Sequence, residues 1–190
     1  MPRIIDYDVV EQTMREHGFV SLYHNSGAFG FGPSAQVRSI GWIGPEDASI
    51  RPSARQWIRQ APPPFEHNLA AAMIKIRASV TGPAWLMPKS HWHYELHFGN
   101  GELLEGVLGE MDIEPAILRY RNNGSAIEFG AGESPLLGKA VEHLLSGLAG
   151  SDFLLAFPEA STLCTIHHHK QLWWQTADAT IAQMVDSAWI

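Results

Sequence analysis

Apolar positions along this chain follow two periods, and where each period holds predicts an element. Asp6 to His17 reads as a first helix, with Val10 and Met14 one turn apart on its apolar face. Asp6 is its expected cap, Ile5 and Val10 occupy hydrophobic-staple positions, and Gly18 is a stop signal. Glu66 to Val80 carries Leu69, Met73, Ile76 and Val80 at helical spacing and ends at Gly82-Pro83. Leu103 to Gly109 predicts a short helix. Pro135 to Leu148 shows the clearest stripe, Leu137, Val141, Leu144 and Leu148, with Ser134 as cap and Gly150 just past the end. Asp178 is placed to cap a last helix carrying Ile181, Met184, Val185 and Trp189.

The strand signals are shorter. Phe19 to Tyr23 and Gln36 to Ile43 are separated by Gly27-Ala-Phe-Gly30-Phe-Gly32-Pro33. A strand-like stretch follows those glycines where a phosphate loop would need a helix N-terminus, so they read as a mobile or tightly turned connection. Trp85 to Phe98 reads as a strand region interrupted near Pro88. Ile117 to Arg121 and Ser125 to Phe129 flank Asn122-Asn123-Gly124, a hairpin signal because Asn and Gly tolerate positive φ. Asp152 to Phe157 and Thr162 to His168 predict a second hairpin, and Leu172 to Gln175 a further strand.

Paired strands on short connections predict an α+β fold, a mostly antiparallel sheet built from hairpins with helices packed on one face. The 190 residues read as a single domain. Within it, residues 1–65 form an N-terminal helix/strand layer and Pro-rich connection, and residues 66–190 form the main α+β body. Residues 44–65, with Pro62-Pro63-Pro64, read as a linker or extended arm holding a short helical stretch from Ser53 to Gln60.

Composition narrows the partners. Seven tryptophans in a chain with only 17% charged residues imply large buried surfaces, in the core or at a subunit interface. A net charge of −7 with scattered basic residues argues against nucleic acid and against an anionic membrane, both of which are gripped by clustered Lys and Arg. The N-terminus lacks a hydrophobic signal core, and no apolar run approaches the ~20 residues of a membrane span. The expected location is the cytoplasm. Cys164, the single cysteine, lies in an apolar strand and reads as a buried, inert thiol.

The chemistry worth testing is histidine. Six of the ten histidines fall in His91-Trp-His93-Tyr-Glu95-Leu-His97 and His167-His168-His169. Read as a strand, the first segment puts His91, His93, Glu95 and His97 on one face and Trp92, Tyr94, Leu96 and Phe98 on the other. Strand neighbours two apart are about 6.6 Å apart, so a metal site takes two ligands here and completes itself from another strand. The expected set is His91, His93, His167 and His169. Zn, Fe, Mn or Ni would suit these imidazoles, and Glu95 would act as general base on metal-bound water. The HxH spacing is shared with cupin-type metal proteins, but helix-rich surroundings do not match an all-β barrel, and no residue role is carried over. Elsewhere, Arg119 and Arg121 share a strand face and could meet an anion, with Glu128 as a cross-hairpin partner. Trp173 and Trp174 must point to opposite faces of their strand.

Two functions follow. One is a non-enzymatic protein that binds an unidentified protein partner, or assembles as a homodimer, through its aromatic-rich sheet and terminal helix. The order of elements in the second half is loosely similar to that of small acidic α+β adaptors such as secretion chaperones, a topological likeness without a shared motif. The other is a metal-dependent hydrolase or oxygenase, which requires both histidine segments to lie on neighbouring strands and open into one pocket.

Overall fold

Strand pairing organises the molecule, and the computed structural model describes it over residues 1–44 and 56–189. In spatial order the main sheet runs β1 (Arg3–Ile5), β7 (Ala126–Phe129), β6 (Ala84–Pro88), β8 (Phe153–Phe157), β9 (Thr162–His167), β10 (Gln171–Thr176), β4 (Arg38–Ile43) and β5 (Gln56–Gln60). Every neighbouring pair is antiparallel except β4 with β5. The fold is α+β, as its short-turn strand pairs imply. β4 lies beside β10 and contributes Ile40 and Trp42 to the main core, so the N-terminal segment is woven into the same sheet as the C-terminal half.

One face of the sheet is closed by helices α2 (Phe65–Ala78), α4 (Gly101–Glu110), α6 (Ser134–Gly147) and α7 (Ala179–Asp186). The core there takes alternate residues from each strand: Leu86, Leu155, Cys164, Leu172 and Trp42 among them. Among the described residues the opposite face is covered only in part. Helix α1 (Tyr7–Glu16) and a two-stranded hairpin, β2 (Phe19–Ser21) with β3 (Phe29–Phe31), bury Trp85, Met87, Leu154 and Ala156. That is why Phe153–Phe157 reads as a continuous apolar run: β8 is buried on both faces. Thr165, Trp173 and Gln175, farther along the sheet, keep solvent exposure on this second face.

The hairpin is seated backbone against backbone. Gly27 has φ +75°, and a Cβ there would stand 2.7 Å from the Pro88 carbonyl oxygen and 2.9 Å from Gly124 Cα. The glycine-rich stretch is thus a tight turn at Gly27, and Phe29–Phe31 within it form β3 rather than part of the connection. Tryptophan content also resolves: Trp42, Trp85, Trp92 and Trp174 are buried. Trp42 packs 5.2 Å from Trp174 and 5.3 Å from Trp189, and its indole N–H donates to the Val185 carbonyl at 2.9 Å. The terminal helix is therefore held against the core through Ile181, Ala182 and Val185.

Three expectations are corrected. The strand expected to reach Phe98 stops at Pro88; the chain then forms a short helix (α3, Trp92–Tyr94) and continues as a π-helical turn from Glu95 to Gly99. His91 caps it by accepting the Tyr94 N–H at 3.1 Å, and the buried set is Trp92, Glu95 and Leu96. An i, i+3, i+4 burial pattern is helical, and the polar–aromatic alternation of these few residues masked it. The hairpin expected around Asn122-Asn123-Gly124 does not form, because Pro115 starts a short helix (α5, Pro115–Arg119) anchored by buried Leu118. The Arg121 carbonyl instead receives the His93 N–H at 3.0 Å. Arg119 pairs with Glu105 and Arg121 with Asp6, so this pair of cations is already satisfied, and Asp6 is drawn away from side-chain capping of α1. Glu128 pairs with Arg3 at 2.6 Å. Finally, Gln56–Gln60 is a strand where a helix is expected; residues 53–55 of that expectation lie outside the described residues. No helix of the described residues is long and apolar enough to cross a membrane.

Candidate binding cleft and histidine turn

The turn joining β9 to β10 carries the three consecutive histidines. It closes with the Lys170 N–H on the His167 carbonyl at 3.0 Å, and Lys170 itself sits at φ +60°, the left-handed position of a three-residue hairpin loop. Lys170 Nζ reaches Glu66 Oε1 at 2.6 Å, tying the turn to the first turn of α2. That ammonium, through its hydrogen bond, holds the Glu66 carboxyl below its ordinary value, and the Glu66 backbone adds to the effect.

The imidazoles are crowded together, with ring centres 4.3 Å apart for His167–His168, 4.3 Å for His168–His169 and 4.9 Å for His167–His169. Each has a defined setting. His168 donates from Nδ1 to Asp152 Oδ1 at 2.9 Å, because an ionised carboxylate can only accept; its Nε2 lone pair is left free. The His168 backbone N–H adds a second bond to the same oxygen at 3.3 Å. His167 accepts the His169 N–H on Nδ1 at 3.1 Å, so in the neutral ring Nε2 carries the proton, 4.0 Å from Asp152. Burial pushes His167 below the ordinary imidazole pKa, against the pull of Asp152, with its two histidine neighbours and Lys89 adding to the depression. His169 is exposed.

His167 and Asp152 also line one end of a cleft of about 650 Å³ on the partly covered sheet face. Lys89 joins them there, its Nζ 3.9 Å from Asp152 Oδ2. The floor is Thr165, Trp173 and Gln175; the hairpin supplies the wall through Leu22, Phe29 and Phe31. Trp173 lies flat because it faces Gly41 across the β4–β10 pair: a Cβ there would come within 2.8 Å of the ring. Its indole N–H is held by Gln171 Oε1 at 2.8 Å. The volume falls in the range of small-molecule sites, about 300–1,000 Å³.

The first histidine segment lies elsewhere in this geometry. His93 packs with its ring centre 4.5 Å from that of His97 and tilted to it, and donates from Nδ1 to the Arg119 carbonyl at 3.0 Å, while the His91 Nδ1 is occupied as a helix cap. Among the described residues the group with metal-ligand spacing is His167, His168 and His169; His91 and His93 are not part of it. Glu95 is fully buried, with its two oxygens taking the Ser90 hydroxyl, the Asn100 amide at 3.1 Å and the Ser151 hydroxyl at 2.8 Å. Spent in this way, it braces the π-helical turn against the start of β8 and presents no oxygen to a cleft. The two segments do share an anchor: Ser151 holds Glu95, and its neighbour Asp152 holds His168.

Asp152 and Lys89 are site residues to which the sequence assigns no role; His168 belongs to the histidine run but not to the expected ligand set, and Trp173 is expected only to face away from Trp174. Asp152 had a signal, since β8 and β9 form a hairpin and the residue before Phe153 must fall beside His167 once Phe153 pairs with Ile166. Cys164 is on the helix-covered face, and burial pushes its thiol well above the ordinary value, so it offers no nucleophile to the cleft. No family model matches the chain, and no curated protein or solved structure is similar to it.

Proposed function

We propose that this protein is a non-enzymatic binding protein, and that what it binds is a small molecule with a flat apolar body and a polar end. The observation that carries this reading is the cleft on the half-covered sheet face. It joins an aromatic floor, Trp173, to a cluster of donors and an acceptor at one end, Lys89, His167 and Asp152. Apolar walls with a few convergent polar groups give affinity and orientation respectively.

Self-association remains the competing form of binding. Its candidate surface is different: Tyr94, Phe98 and Tyr120 are exposed around His97, with Phe98 at 72% and Tyr120 at 76% exposure. A metal-dependent hydrolase or oxygenase has weaker support, because Glu95 is engaged and His91 and His93 do not join the histidine turn. What favours it at all is the Asp152–His168 pair, an oriented imidazole of the kind general bases use.

A thermal-shift screen of polar aromatic small molecules tests the proposal. Stabilising compounds are expected to lose their effect on Trp173→Ala and on Lys89→Ala, while both variants keep the wild-type fold by circular dichroism. Compounds that stabilise all three proteins equally, or dimerisation lost on Phe98→Ser with no response to any compound, would count against the cleft.

A further inference from the structure

The histidine turn supports a second inference, independent of what fills the cleft. We propose that His167, His168 and His169 form a site for one divalent first-row transition metal ion at the mouth of the cleft, with Asp152 as the carboxylate that orients the central ligand. Three features of the geometry carry it. One nitrogen from each ring lies within 4.8 Å of the others, close enough for the three imidazoles to share one ion. His168 already has the arrangement that metal-bound histidines need: Nδ1–H donates to a carboxylate, which leaves Nε2 basic and pointed away. The turn that carries the rings is also braced from outside, by the Lys170–Glu66 ion pair and by the closing bond of the loop.

All-imidazole donors select ions of the zinc, nickel and copper class over magnesium or calcium, which demand oxygen. Ligation by His167 through Nδ1 has to release the His169 N–H that this nitrogen now accepts. That is one neutral hydrogen bond exchanged for a metal–nitrogen bond, and the freed N–H is at an exposed turn where water replaces its partner. Asp152 carries negative charge beside the ion in either arrangement, and Lys89, 3.9 Å from its other oxygen, remains on the cleft side.

Calorimetric titration of the untagged, chelator-treated full chain with Zn²⁺ at neutral pH tests this. One equivalent is expected to bind, His168→Ala to abolish saturable binding, and Asp152→Asn to weaken it by about 10–100-fold. His91→Ala with His93→Ala should bind like the wild type. His169→Ala keeps the test sound should His168→Ala fail to fold, because its ring is exposed and no side-chain hydrogen bond holds it among the described residues. It too should weaken binding. Absence of saturable uptake would overturn the proposal. So would unchanged affinity in Asp152→Asn, since a loose run of histidines would not sense that carboxylate.

Discussion

At the residue scale, two side chains state the account in its smallest form. Gly41 exists beside Trp173 because any Cβ would meet the ring. Gly41→Ala must therefore push the indole off the sheet or bend β4. Overpacking of this kind costs about 1–3 kcal/mol, and urea denaturation should show a loss of that size together with a changed Trp173 environment in near-ultraviolet dichroism. A wild-type stability would mean that the ring does not lie across Gly41. Glu95 is the other case. It accepts from Ser90, Asn100 and Ser151, and no ion pair reaches it among the described residues. Glu95→Gln keeps one acceptor oxygen for Asn100 and Ser151 but turns an amide N–H toward Ser90, so the buried site loses its charge-assisted bonds and the Ser90 hydroxyl must find another acceptor. The expected loss is about 1–3 kcal/mol, read by chemical denaturation. A carboxylate serving as base in an open cleft would instead tolerate Gln with little change in stability.

Elements tell how much the sequence disclosed. Helices with a sustained stripe, α2 and α6, are where Leu69–Met73–Ile76 and Leu137–Val141–Leu144 indicate, and β8 to β10 follow their apolar runs. Asp178 caps α7 as its position implies, accepting the Thr180 N–H at 2.7 Å and the Ile181 N–H at 3.0 Å. Asp178→Ala should cost about 0.5–2 kcal/mol in chemical denaturation; no loss would show that the terminal helix is held by Trp42 and Trp189 packing alone. Short segments were legible only in part. Between His91 and Phe98 the alternating pattern fits a strand as well as it fits about two helical turns, and only tertiary partners, the Ser151 hydroxyl and the Ser125 carbonyl under Trp92, decide between them. The same ambiguity hid the site. The run from His167 to His169 stands out as composition, and the parity that sets His167 on the face away from Cys164 and Ile166 is readable; its partner Asp152 follows only once the register of the β8–β9 hairpin sets Phe153 opposite Ile166.

Lys170 joins the element scale to the whole molecule, because it links the turn to α2. Lys170→Gly relieves a left-handed backbone that costs a lysine about 1–2 kcal/mol. It also removes an exposed ion pair worth about 0.2–1 kcal/mol and adds roughly 0.5–1 kcal/mol of glycine entropy cost. These nearly cancel, so stability at neutral pH should hardly move. The acid limb should. Glu66 has its folded pKa lowered by Lys170, so its contribution is present above the ordinary glutamate value of about 4.3 and is lost as pH falls through the folded value. In Lys170→Gly the Glu66 carboxyl, followed by NMR titration, should return toward that ordinary value and the acid dependence of stability should flatten. An unchanged Glu66 titration would mean that the turn is not fastened to α2.

For the molecule as a whole, among the described residues, helices close one face of the sheet while α1 and a hairpin cover part of the other, and the cleft is where that second cover ends. The proposed binding function places its ligand on this second face. The most direct measurement is a ¹H–¹⁵N NMR titration of the full chain with the strongest compound from the small-molecule screen. A ligand seated in the cleft should shift the Trp173 indole and the backbone of Leu22, Phe31, Lys89 and His167. Shifts confined to Tyr94, Phe98 and Tyr120, or a spectrum that no compound perturbs at the cleft, would contradict it.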